Sequence, residues 1–228
     1  MEMKEKTYIL FDLDGTLTDP KEGITKSVQY ALRHYGIEVE DLDSLCPFIG
    51  PPLRDSYEKY YGFTPEQATE GVHVYREYFN ERGWLENKEY PGIKEMLKEL
   101  QNAGAVLLVA TSKPEVFAKR ILDYFQLSSY FDFIGGADLG ETRVRKADVI
   151  RYVLENCHIS REMVSTGHLW MVGDREHDVL GARECGIPCV GVLYGYGSRE
   201  EMEACQAEKI VSTVEELREF LLETIKNP

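Results

Sequence analysis

From about residue 88 onward the chain alternates two apolar patterns. Residues 105–110 form a continuous apolar run, as expected of a strand covered on both faces. Other stretches repeat apolar residues three and four apart, as helices with one buried face do. Pro91-Gly92 opens such a helix, with Ile93, Met96, Leu97 and Leu100 along its face and Gly104 at its stop. Pro114 suits the first turn of the next helix, whose apolar positions are Val116, Phe117, Ile121 and Leu122. Strands are then expected at 131–134, 168–172, 187–193 and 209–211, and helices at 146–154, 175–185, 198–205 and 214–225. Near the start, Tyr8–Phe11 reads as one more buried strand. This alternation predicts an α/β fold: a Rossmann-like, doubly wound parallel sheet with ligands outside the carboxyl ends of its strands.

Residues 19–87 break the alternation, with helical patterns and no convincing strand. Asp19-Pro20 precedes a helix carrying Ile24, Val28, Leu32 and Tyr35, and Thr64-Pro65-Glu66-Gln67 is a capping box with proline in the first turn. The helix after it carries Val72, Tyr75, Tyr78 and Phe79, aromatics best explained as core packing. The expected organisation is therefore a core of residues 1–17 and 88–228, interrupted after its first strand by a helical domain of residues 18–87.

Composition narrows the classes of function. The 228 residues are 43% hydrophobic, enough for a sizeable core, and carry a net charge of −14. No basic cluster offsets that charge, which argues against an extended nucleic-acid surface. The apolar runs are too short to span a bilayer, and Met1 to Lys6 lacks a signal-peptide pattern, so a soluble, cytoplasmic protein with no membrane partner is expected. The five cysteines are odd in number and include no C-x-x-C pair, which points to reduced structural thiols.

Candidate chemistry begins at Phe11-Asp12-Leu13-Asp14-Gly15-Thr16. On an extended chain Asp12 and Asp14 emerge on one face, Leu13 turns into the core, and Gly15 frees the backbone to turn. Two adjacent acids in one cleft do not both stay ionised easily without a cation, so a nucleophile, an acid–base group or a metal site can be built there. Three later segments also follow predicted strands. Thr111-Ser112-Lys113-Pro114 offers a hydroxyl and the free N–H groups of a helix start, suited to phosphate. Lys146 directly precedes a helix, and Gly173-Asp174 is followed by Asp178 four residues on.

In order and spacing, these four segments resemble the motifs of the haloacid dehalogenase-like hydrolase superfamily, in the style of phosphoglycolate phosphatases. The likeness spans nearly the whole chain, and the helical insert looks like that superfamily's cap. It implies that Asp12 attacks phosphorus to form an aspartyl-phosphate, and that Asp14 protonates the leaving oxygen and then activates water. It implies Mg²⁺ on Asp12, the Asp14 carbonyl and Asp174, with Asp178 holding a metal-bound water or orienting Lys146. Thr111 and Lys146 would hold the phosphoryl oxygens. Thr16, Ser112 and Lys113 join the candidate substrate contacts, as do Gly50 and Arg54 in the insert loop Phe48-Ile49-Gly50-Pro51-Pro52-Leu53-Arg54.

One departure is Lys146-Ala147, where many relatives have Lys-Pro; Arg143 and Arg145 stand close by as competitors. Phosphatases of that superfamily carry aspartate at the position of Asp14, whereas dehalogenases and phosphonatases do not, so the resemblance implies transfer from a phosphate ester. The expected partner is a small phosphorylated metabolite, phosphoglycolate first. A nucleoside monophosphate is the alternative substrate, a sugar phosphomutase the alternative reaction, and a phospho-accepting signalling domain the alternative from another class. Tyr194-Gly195-Tyr196-Gly197 reads as a flexible connection, and His177 as exposed on a helix start.

Overall fold

The computed structural model describes residues 6–140, 142–165 and 168–226, so the first five residues of the segment read for a signal peptide fall outside it. Contacts divide the chain into two compact units, residues 1–17 with 89–228, and residues 18–88.

The larger unit opens with β1 (Tyr8–Phe11). In chain order the next elements are β2 (Thr18–Asp19), α1 (Lys21–His34), α2 (Leu53–Tyr61), α3 (Pro65–Tyr78) and β3 (Lys88–Glu89). Then come α4 (Ile93–Asn102), β4 (Val106–Pro114), α5 (Glu115–Tyr124), β5 (Phe133–Ala137), α6 (Lys146–Asn156) and α7 (Arg161–Ser165). The chain continues through β6 (Leu169–Gly173), α8 (Glu176–Glu184), β7 (Cys189–Val192), α9 (Arg199–Ala204), β8 (Lys209–Val211) and α10 (Val214–Lys226).

Six strands form one parallel sheet in the order β5-β4-β1-β6-β7-β8, the doubly wound arrangement expected from the alternation. Strand order reverses beside β1, whose Leu10 pairs with Leu108 on one side and Met171 on the other. Those residues pack with Val149, Ile150 and Val153 of α6 and Val179 and Ala182 of α8. Alternation sends Trp170 to the opposite face, where its ring meets Phe220 of α10 at 5.1 Å. The β1, β4 and β6 carboxyl ends therefore lie side by side at the switch point.

Four local expectations change. The central strand runs past Ala110 to Pro114, because a residue before proline is held out of the helical region. Pro114 then caps α5 in extended geometry, and Val116 is left 54% exposed while Ala118 is buried. The strand expected at 131–134 forms instead at Phe133–Ala137, where Gly135 and Gly136 pair with Ala110 and Thr111. Two short strands also occur where none was expected, and β2 pairs with β3.

The smaller unit is a helical bundle in which α3 packs against both α1 and α2. The capping box forms as expected: Gln67 N–H donates to Thr64 Oγ1 at 3.3 Å, and Thr64 N–H to Gln67 Oε1 at 2.9 Å. Its aromatics pack together: Tyr57 is fully buried, stacks on Phe63 at 5.4 Å and meets Phe48 edge-on at 5.1 Å. Gly71 of α3 leaves room for the Tyr57 ring, which a Cβ would meet at 3.4 Å.

Candidate active site

β1 delivers Asp12 at its end, and Asp12 N–H donates to Val172 O at 2.9 Å, extending the pairing with β6 by one residue. The chain then turns: Leu13 is buried, and Gly15 takes φ +77°. A Cβ at Gly15 would lie 2.1 Å from an Asp174 oxygen, so only glycine lets the two loops approach this closely. Asp12, Asp14, Asp174 and Asp178 are all buried.

Each lysine expected near these acids reaches one or two of them. Lys146, at the first turn of α6, places Nζ 2.9 Å from Asp12 Oδ1, 2.7 Å from Asp178 Oδ1 and 3.2 Å from Ala110 O. Burial works against its charge, but Asp12 and Asp178 outweigh burial and hold the ammonium above its ordinary value. Gly181 of α8 allows this approach, since a Cβ there would press on Lys146 Cβ at 2.8 Å. The competing arginines turn elsewhere: Arg143 donates to Gly136 O and lies 3.5 Å over the Tyr152 ring, and Arg145 pairs with Glu184. Lys113 lies 2.7 Å from Asp14 Oδ2, with only 5% of its side chain exposed. Burial raises the Asp14 pKa, and Lys113 offsets only part of that rise.

Thr111 and Lys113 reach the site by a different route from the expected helix start. They lie on the extended end of β4, where positions two apart share a face, and Lys113 N–H donates to Thr111 Oγ1 at 3.2 Å. The N–H groups of 111–113 are therefore strand groups rather than the free first turn of a helix. Ser112, between them, is half-buried.

Oxygens of Asp12, Asp174 and Asp178 lie within 4.8 Å of one another, a donor set suited to a divalent cation. Asp178 is already engaged: Oδ1 meets Lys146, and Oδ2 accepts from Arg175 N–H at 3.1 Å. Asp174 is different. Its Oδ2 accepts from Tyr196 N–H at 2.7 Å, while its buried Oδ1 has no hydrogen-bond partner among the described residues. Burial, with Asp178 and Asp12 nearby, pushes the Asp174 pKa well above the usual carboxylate value. A carboxylate group buried among other carboxylates with an orphaned oxygen is what a hard cation would neutralise.

The loop after β7, expected to be a flexible connection, is instead part of the site. Tyr194 Oη donates to Thr16 O at 3.0 Å, and Tyr196 holds Asp174. A Cβ at Gly195 would lie 2.3 Å from Gly15 O and 2.4 Å from Asp174 Cβ. The Gly-x-Gly spacing at 195–197 was the available signal; pattern alone does not separate close backbone approach from slack. Thr16 is fully buried, and its Oγ1 has no hydrogen-bond partner among the described residues. His177 is half-buried rather than exposed.

The insert candidates belong to the helical unit. Gly50 takes φ +103° in its turn, and Arg54 pairs with Glu58 one helical turn on, at 3.3 Å. None of the described helices is long and apolar enough to cross a membrane.

Comparison with known proteins agrees with this geometry. The family model for haloacid dehalogenase-like hydrolases matches residues 9–192. A 5'-nucleotidase from Pseudomonas aeruginosa is 46% identical over 213 residues, covering 93% of this chain and 94% of that one. The tyrosine-protein kinase PtkA of Mycobacterium tuberculosis is 39% identical, covering 93% of this chain and 72% of that one. The crystal structure of a predicted phosphatase from Clostridium acetobutylicum superposes with a TM-score of 0.91 at 49% identity, covering 96% and 99% of the two chains. With four acids, two lysines and a strand-end threonine gathered at one switch point, the chain belongs to the haloacid dehalogenase-like hydrolases, as a hydrolase of phosphoric monoesters.

Proposed function

We propose that the protein is a Mg²⁺-dependent phosphatase of small phosphomonoesters that works through an aspartyl-phosphate on Asp12. The observation that carries this reading is the buried Asp12–Asp174–Asp178 cluster, in which Lys146 meets Asp12 and Asp178 while Asp174 Oδ1 has no hydrogen-bond partner among the described residues. Asp12, the Asp14 carbonyl and Asp174 would hold the cation, whose charge would stabilise that building on the transferring phosphoryl group. Asp12 attacks phosphorus as the ester P–O bond breaks, and Asp14 gives its proton to the leaving oxygen. Asp14 then takes a proton from water as that water attacks phosphorus, which releases inorganic phosphate and restores the Asp12 carboxylate. Thr111 and Lys146 hold the phosphoryl oxygens, and Asp178 orients Lys146. The helical unit would select substrate, with Gly50 in the turn before α2 and Arg54 in the first turn of α2 as its candidate contacts, and Thr16 and Ser112 are the candidate contacts of the α/β unit.

Among substrates, the 5'-nucleotidase relative supports a nucleoside monophosphate ahead of phosphoglycolate. The kinase relative supports a second reading, in which the phosphoryl group passes to a tyrosine hydroxyl rather than to water. The test is a panel of nucleoside monophosphates, phosphoglycolate and sugar phosphates with Mg²⁺, reading inorganic phosphate. A parallel incubation with ATP reads phosphotyrosine. Release is expected from at least one nucleoside monophosphate, lost in excess EDTA and restored by Mg²⁺. Asp12→Asn should lower it by a factor on the order of 10⁴. Full activity in EDTA, or an inert panel, would refute the assignment.

A further inference from the structure

We propose that Lys113 is a positioning residue that fixes which oxygen of Asp14 carries the transferable proton. The inference rests on the phosphatase reading and adds to it an atom-level role for a residue first expected to touch substrate.

An ammonium has three N–H donors and no acceptor, so the carboxyl oxygen facing it must be an acceptor. Lys113 Nζ faces Asp14 Oδ2 at 2.7 Å. When Asp14 is protonated, its hydrogen must therefore sit on Oδ1, the buried oxygen with no hydrogen-bond partner among the described residues. The other lysine does not compete for this place, since Lys146 contacts Asp12 and Asp178.

The backbone under Lys113 is held as firmly as its side chain. Its N–H donates to Thr111 Oγ1, and a Cβ at Gly136 on the neighbouring strand would lie 2.6 Å from Lys113 O. Only glycine at 136 lets β5 close on this part of β4.

In the first half-reaction the Oδ1–H bond breaks, its proton goes to the ester oxygen, and the P–O electron pair leaves with that oxygen. In the second, water gives its proton back to Oδ1 as the water oxygen bonds to phosphorus and the bond from phosphorus to the Asp12 oxygen breaks, its electron pair returning to the Asp12 carboxylate. Oδ2 remains with Lys113 throughout.

Leaving-group dependence tests this. The full chain with Mg²⁺ and its Lys113→Met variant are compared by kcat/KM on an alkyl phosphate, whose alcohol needs a proton to leave, and on p-nitrophenyl phosphate, whose phenolate does not. The variant should lose on the order of 10²-fold on the alkyl ester and less than about tenfold on the nitrophenyl ester. Inhibition by inorganic phosphate should stay unchanged. Lys113→Arg, also an obligate donor, should recover part of the alkyl-ester rate. Adding Lys113→Met to Asp14→Asn should cost little more, because both act on one proton transfer.

Equal losses on both esters with weaker phosphate inhibition would overturn the proposal in favour of a phosphoryl contact. No loss on either would overturn it outright. If Lys113→Met fails to fold by circular dichroism, Lys113→Leu, which also lacks a donor, carries the same comparison. A wild-type chain inert to both esters fails the phosphatase reading first, and this proposal with it.

Discussion

The α/β unit and the helical unit solve opposite packing problems. At the carboxyl ends of β1, β4 and β6, the larger unit buries four aspartates and two lysines. The helical unit buries rings instead, Phe48, Tyr57 and Phe63, and keeps its charge pairs outside: Lys26 bridges Glu22 and Glu86 with about a third of its side chain exposed. Buried charge is expensive and is kept where each partner is needed, whereas exposed pairs contribute little. The difference teaches where the chemistry lies, because a fold selected for stability alone would have placed apolar residues at those strand ends.

The largest effect is expected from removing one charge on each side of this comparison. Lys146→Met leaves Asp12 and Asp178 buried without their cation and should cost about 3–5 kcal/mol in urea unfolding with chelator present. Lys26→Met should cost less than about 1 kcal/mol in the same assay. Similar losses for the two variants would break the comparison.

Gly195→Ala sharpens it within the α/β unit. The new methyl would press on Gly15 O and Asp174. Calorimetric titration with Mg²⁺ should show affinity reduced by roughly 10–100-fold, as for other groups that orient a metal ligand. Unchanged affinity would return the loop after β7 to a mere connection.

The smallest effect is expected in the helical unit. Tyr57 Oη is buried with no hydrogen-bond partner among the described residues, so its hydroxyl adds only desolvation cost. Tyr57→Phe should shift unfolding by about 1 kcal/mol or less, toward greater stability. A loss of stability on that scale would mean that this core, too, uses a polar contact.

Much of this was legible in the residues. Apolar periodicity located the elements and the parallel sheet, because burial on both faces of a strand or one face of a helix is a local repeat. Asp12, Asp14, Lys146, Asp174 and Asp178 were all nameable as candidates, because each follows a strand or opens a helix at the sheet's carboxyl side. Boundaries were less legible: β4 outran its apolar run because pairing of Thr111 with Gly136 and of Pro114 with Ala137 continued where hydrophobicity stopped.

By itself, then, the sequence determined the class of fold and which acids and lysines stand near the strand ends, since both follow from patterns read along the chain. Only the tertiary structure decided the pairings. Lys146 serves Asp12 and Asp178, Lys113 serves Asp14, and the loop at Tyr194–Gly197 holds Asp174. Those partners lie far apart in the chain, and their contacts rest on backbone approaches at Gly15, Gly181 and Gly195, where the determining feature is an absent side chain.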